Sequence, residues 1–106
     1  MSDFQSAADF EKCLDTDFRV ELESPGPIAI KLIAVTPRES EPHEEAGMER
    51  FSAVFSGPPD TFLPQGTYRV THPEMGEFYV FLVPLAPEAG VFKYEAVYNY
   101  YRPVSD

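Results

Sequence analysis

The sequence predicts a mainly β protein: a small antiparallel β-sandwich or partly open barrel of about six strands with one short N-terminal helix. Eleven prolines and six glycines divide the 106 residues into short segments, which is typical of strands joined by turns. Most segments alternate apolar and polar residues, the period of a half-buried strand. The stretch 77–83, EFYVFLV, is apolar on both faces, so we expect both faces to be covered, between two layers or across a closed barrel.

Length and charge limit the possible architectures and partners. A chain of 106 residues is the usual size of one domain, so we interpret residues 1–106 as a single domain. Eighteen acidic and eight basic residues give a formal charge of −10, a field that repels nucleic acids and anionic membranes. The sequence shows no signal-peptide pattern and no membrane-spanning run. We therefore expect a cytoplasmic protein with neither of those partners.

The N-terminal stretch 2–14 predicts a short amphipathic helix. Its apolar residues recur mostly three or four positions apart, and Ser2 is a candidate N-cap. The only cysteine, Cys13, falls on the apolar stripe, which excludes an intramolecular disulfide. We expect Cys13 to be a small buried side chain rather than a reactive nucleophile.

Three strands are predicted in the first half of the chain, at 17–23, 28–35 and 50–56. The turn SPGP separates the first two, and Gly26 is suited to a positive φ. Residues 37–48 contain four glutamates and predict an acidic exposed loop. We weighed a metal site at His43, Glu44 and Glu45 and favour a solvated loop, because the spacing of a calcium loop is missing.

A hairpin and a final strand complete the prediction. Phe62 and Leu63 are expected to enter the core from the loop before the hairpin. Strands 67–71 and 77–83 flank the turn 72–76, where Gly76 suits a left-handed position and His72 is expected to hydrogen-bond the local backbone. Residues 91–101 form the last strand, and 102–106 are predicted to be a flexible tail.

The sequence contains no catalytic constellation that we can identify. It lacks a GxSxG elbow, a GxGxxG loop and a P-loop, so we predict a protein that is not an enzyme and has no cofactor or metal. Tyrosines are concentrated on the last two strands, and rings with polar tips favour protein interfaces. The candidate partner-binding residues are Tyr79, Tyr98, Tyr100, Tyr101, Gln65 and His72.

Four segments carry a resemblance to a known family. They are FSAVFSGP at 51–58, LPQGTY at 63–68, HPEMG at 72–76 and YEAVYN at 94–99. With them the chain resembles a family of small bacterial proteins catalogued as a domain of unknown function. The resemblance implies a bacterial origin, and an accessory or assembly role linked to phage-tail-like structures.

Two functions remain open from the sequence. The first is a non-catalytic module that binds another protein through exposed aromatic side chains and a free strand edge. The alternative is a β-barrel that binds a small molecule in a tyrosine-lined pocket.

Overall fold

The chain forms a six-stranded antiparallel barrel with one short helix. The computed structural model describes residues 6–23, 26–37, 48–87 and 89–101. The elements are α1 (Ala7–Glu11), β1 (Asp17–Val20), β2 (Ile28–Pro37), β3 (Met48–Gly57), β4 (Gly66–His72), β5 (Gly76–Pro84) and β6 (Phe92–Tyr101). The strands close in the order β1-β2-β3-β6-β5-β4. The predicted fold class is confirmed, in its barrel form.

Apolar and polar side chains alternate along most of the strands, and the apolar side chains of this alternation point into the barrel. Every strand contributes side chains to a single buried cluster, because successive residues of a strand point to opposite faces of the sheet. The largest fully buried members are Tyr94, Phe10, Phe18, Phe51, Phe55, Ile30, Leu32 and Leu82. Aromatic rings therefore provide much of the core volume, as the composition indicated.

Helix α1 is shorter than predicted and has a different cap. The Asp9 N–H donates to Ser6 Oγ at 3.1 Å, and the Ser6 N–H donates to the Asp9 carboxylate at 3.1 Å, which is a capping box. The predicted cap, Ser2, lies outside the described residues. Five residues form a helix of little intrinsic stability, so α1 depends on its packing against the barrel.

That packing is provided by Phe10, which is completely buried. Its ring centroid lies between 5.5 and 6.4 Å from the centroids of five rings on four strands. These rings are Phe18, Phe51, Phe55, Phe78 and Tyr98. Phe10 therefore acts as a plug that the helix inserts among the inward-facing side chains.

One sequence prediction for the loop before β4 needs correction. Leu63 enters the core at 2% exposure as expected, but Phe62 remains 52% exposed and packs edge-on against Phe92 with ring centroids 5.3 Å apart. The prediction that Phe62 enters the core is wrong, because Leu63 already occupies the inward position of that loop. The acidic loop falls mostly outside the described residues, as does the tail 102–106.

Tyr94 anchors the loop before β4 to the barrel. Its side chain is fully buried, and its hydroxyl accepts the Leu63 N–H at 2.9 Å. Its ring also lies against Gly57, where an added Cβ would come within 2.9 Å of Tyr94 Cε2. A glycine at position 57 thus lets the ring reach the Leu63 backbone.

We expect Tyr94→Phe to lower the free energy of unfolding by about 1–3 kcal/mol, because it leaves the buried Leu63 N–H without an acceptor. Urea denaturation monitored by circular dichroism measures this change. Tyr68→Phe is the matched control, since the Tyr68 hydroxyl donates to the exposed Pro64 carbonyl, which water can satisfy after the substitution. Equal losses in the two variants would contradict the anchoring role of Tyr94.

Candidate functional site

The outer face of β5 and the residue that follows the strand carry a row of apolar side chains, which we call the apolar row: Tyr79, Phe81 and Val83 of β5, and Leu85 directly after it. Tyr79 is 68% exposed and Phe81 is 51% exposed. Val97 lies on the outer face of the neighbouring strand β6 and is also exposed. The expectation that both faces of this segment are covered is therefore wrong for the described part of the chain: the barrel covers only the inner face.

The strands β5 and β6 are paired over a small part of their length. Within the described part of the chain, β5 pairs with β6 only at Val83–Glu95 and Pro84–Tyr94. On their other edges, β6 pairs with β3 over its whole length, from Phe92 to Tyr101, and β5 pairs with β4 from Gly76 to Leu82. We call the region between residues 76–82 of β5 and 96–101 of β6, over which the described strands form no pairs with each other, the wedge.

Backbone groups of β5 point into the wedge. The Arg69 carbonyl of β4 accepts the Glu21 N–H at 2.9 Å, so the backbone groups of Arg69 face β1. Arg69 is opposite Tyr79. In an antiparallel ladder, two opposite residues either hydrogen-bond to each other or both direct their N–H and C=O groups away from each other. The N–H and C=O of Tyr79, and by alternation those of Glu77 and Phe81, therefore face the wedge.

A second hydrogen bond supports the same assignment from the other end of β5. The Leu85 N–H donates to the Lys93 carbonyl of β6 at 2.9 Å. The N–H and C=O groups of successive residues alternate between the two edges of a strand. The backbone groups of the odd-numbered residues of β5 are therefore all directed toward β6. The residues with exposed rings, Tyr79 and Phe81, are thus the residues whose backbone groups lie at the edge of the wedge.

Aromatic rings line the inner side of the wedge. The Phe10 ring lies 6.0 Å from Phe78 of β5 and 5.5 Å from Tyr98 of β6, measured between centroids. Tyr98 in turn stacks on Phe51 at 4.7 Å. Phe10 therefore bridges β5 and β6 from inside, at positions where the described strands form no pairs with each other.

The structure places the predicted partner-binding residues in different environments. Tyr79 belongs to the apolar row, and Gln65 is exposed beside it, because Gly66 pairs with Leu82. Tyr98 is half-buried and packs against the core. The side chains of Tyr100 and Tyr101 lie outside the described residues.

Sequence reasoning did not select Phe81 and Val97 as site residues. The signal for Phe81 was present in the doubly apolar stretch 77–83, but we assigned its outer face to a covering layer. Val97 lies in an alternating strand that gives no separate signal. Only the strand order, which makes β5 and β6 neighbours, shows that the two exposed side chains flank one gap.

His72 has the turn role that the sequence predicted and a second role that it did not. Its Nδ1 accepts the backbone N–H groups of Glu74 at 3.0 Å and Met75 at 3.4 Å. This assigns the ring proton to Nε2, which lies 2.9 Å from Thr16 Oγ1. His72 is 7% exposed, so it ties the hairpin turn to the segment before β1 and has little surface to offer a partner.

Cys13 lies beside this histidine and has the environment of an inert thiol. Its side chain is buried, with Sγ 3.9 Å from His72 Nδ1 and 3.5 Å from Glu74 Oε2. Burial raises the pKa of the Cys13 thiol, and the hydrogen bond and negative charge of Glu74 raise it further. His72 Nδ1 already accepts two N–H groups, so it is poorly placed to act as a base. The predicted buried role of Cys13 is confirmed.

A shallow depression of about 520 Å³ lies beside His72 on the outside of the barrel. Its lining mixes opposite charges, including Asp17, Arg19 and Glu77, which favours no single class of ligand. Among the described residues, no group of three or more His, Cys, Asp or Glu side chains is arranged to hold a metal ion. No helix in the described ranges is long and apolar enough to cross a membrane.

We expect Cys13 in the folded protein to react with iodoacetamide at least about a hundredfold more slowly than in urea, because its thiol is both buried and protonated. Mass spectrometry of the alkylated protein over time measures the two rates. Glu74→Gln should leave the folded protein slow to react, since burial is the largest cause of the raised pKa of Cys13. Equal rates with and without urea would contradict this description.

Comparison with known proteins gives one match. A family model with the description Domain of unknown function (DUF6916) matches residues 5–98. No curated protein and no solved structure matches the chain. The family match includes Phe10, all of β5 and residues 92–98 of β6. The chain belongs to the family DUF6916, a domain of unknown function.

Proposed function

We propose that the protein is a non-catalytic module that binds another protein through the apolar row of β5 and the adjacent Val97. The observation that carries the proposal is the exposure of Tyr79 and Phe81, at 68% and 51%, on the outside of a barrel. Contiguous exposed apolar side chains mark interaction sites more often than single ones do. Large aromatic side chains are also the residues that contribute most to binding at protein interfaces.

Polar groups around the apolar row complete the pattern of an interface. Arg69 Nε lies 2.8 Å from Glu77 Oε2, and both side chains are about half exposed. This ion pair lies at the hairpin end of the row, because Arg69 is opposite Tyr79. An apolar centre with a charged rim is the usual arrangement of protein–protein contacts.

The environments of His72 and Cys13 support a non-catalytic role. Both ring nitrogens of His72 lie within hydrogen-bond distance of protein groups, and the raised pKa of Cys13 opposes formation of a thiolate. The most reactive residue types in the described chain are therefore engaged in holding the hairpin turn against the barrel.

The alternative, a small-molecule barrel with a tyrosine-lined pocket, has less support. The Tyr94 hydroxyl is hydrogen-bonded to Leu63, and Tyr98 stacks on Phe51. Phe10 lies among the rings of the interior, in the space that a ligand would need. The link to phage-tail-like structures that the resemblance implies stays a prediction.

The proposal is tested with the double variant Tyr79→Ser, Phe81→Ser as an immobilised bait. We expect a protein from an extract of the source organism to bind the unsubstituted chain and to be recovered at least about tenfold less with the variant, since each lost aromatic anchor costs about 1–2 kcal/mol or more. Quantitative mass spectrometry of the eluates measures recovery.

The matched control is the double variant Leu14→Ser, Ile33→Ser. It removes two apolar side chains that are 38% and 36% exposed, and Ile33 lies on β2, across the barrel from β5. This control should recover the partner as well as the unsubstituted chain does. Equal recovery by the β5 variant and the unsubstituted chain would overturn the proposed surface.

A further inference from the structure

The wedge presents backbone groups of the kind that pair with another strand. Glu77, Tyr79 and Phe81 direct their N–H and C=O groups away from β4, and β6 forms no pairs with them in the described chain. A row of unpaired N–H and C=O groups at a strand edge is a template for an added strand. The edge from Glu77 to Phe81 is five residues long, about 17 Å at 3.4 Å per residue, which is an ordinary strand length.

The side chains at this edge favour an apolar segment. The outward neighbours of an added strand would be Tyr79 and Phe81, which are largely exposed. Its inward neighbours would be Phe78 and, through the wedge, the ring of Tyr98. A strand that pairs here therefore meets apolar groups on both of its faces, as β5 itself does.

The charge of the chain distinguishes between two sources for such a segment, a second copy of this chain and a different protein. A second copy would bring a formal charge of −10 against a charge of −10, which opposes association at moderate ionic strength. A segment flanked by lysine or arginine is attracted by the same field. Electrostatic complementarity of this kind speeds association and selects partners.

From these observations we infer that the partner is captured by β-strand addition: an extended segment of another protein, apolar in its centre and basic at its ends, pairs with the β5 edge from Glu77 to Phe81. This inference rests on the proposed function and specifies its mode of recognition. Main-chain hydrogen bonds then provide part of the affinity, and the alternating side chains provide specificity.

The probe is a synthetic peptide with the sequence KKVIVIVKK, capped at both ends, which is apolar on both faces of its central five residues. Titrated into the 15N-labelled full chain, it should shift the backbone amide signals of Glu77, Tyr79 and Phe81 and leave the β2 amides unchanged. A version with its five central amides N-methylated keeps the side chains and the charge but lacks the five central N–H donors. We expect it to bind at least about tenfold more weakly, a loss of about 1.4 kcal/mol.

Two variants separate backbone pairing from side-chain contact. Tyr79→Pro removes the N–H that faces the wedge and keeps the β4 pairing, whereas Tyr79→Ser removes the same ring and keeps the N–H. The proline variant should bind the peptide more weakly than the serine variant. If the proline variant does not fold, the N-methylated peptide still decides the question with the unsubstituted chain.

Three results would overturn strand addition by a basic segment. They are the absence of shifts at the β5 edge at millimolar peptide, equal binding of the N-methylated peptide, and concentration-dependent shifts at these amides without peptide, which would identify a second copy. A loss of partner recovery in Tyr79→Ser, Phe81→Ser together with equal binding of the two peptides would leave the proposed surface standing and remove only its strand-addition mode.

Discussion

The barrel depends on the burial of one phenylalanine that comes from outside the sheet. Phe10 contacts inward rings on β1, β3, β5 and β6, and it is the only fully buried residue of its helix. Two neighbouring strand pairs, β1–β4 and β5–β6, have two paired positions each in the described chain. A few hydrogen bonds contribute about 1 kcal/mol each, whereas truncating a buried Phe costs about 3–5 kcal/mol. Ring packing therefore does more than pairing to hold the barrel closed there.

This arrangement explains how the barrel closes although, among the described residues, β5 pairs with β6 at only two positions. A strand edge in a barrel is normally satisfied by its neighbour, and β6 is instead committed to β3 over its whole length. The rings of Phe10 and Tyr98 lie on the inner side of the wedge, 5.5 Å apart between centroids, so ring packing holds β5 and β6 together where the described ladder has only two pairs. Two of the three residues whose backbone groups face the wedge, Tyr79 and Phe81, also carry the exposed rings, which links the fold to the proposed binding mode.

The sequence predicted the class of fold, most strand positions and the turn roles of Gly76 and His72, because these depend on local alternation and turn chemistry. Gly76 has the positive φ of +78° that its position required. The sequence did not predict that the outer face of β5 is exposed or that Phe62 stays outside. The first depends on strand order, and the second depends on which of two adjacent apolar residues faces inward. The local alternation of apolar and polar residues specifies neither. Cys13 and His72, separated by 59 positions, meet only because the hairpin turn folds back against the start of the barrel.

Amide hydrogen exchange of the free protein tests the free β5 edge most directly. The amides of Phe78, Val80 and Leu82 face β4 and should be protected, whereas those of Glu77, Tyr79 and Phe81 face the wedge and should exchange at least about a hundredfold faster. Such alternation along one strand would be the signature of an edge paired on one side. Uniform protection of all six amides would show that the edge is already paired and would contradict the account.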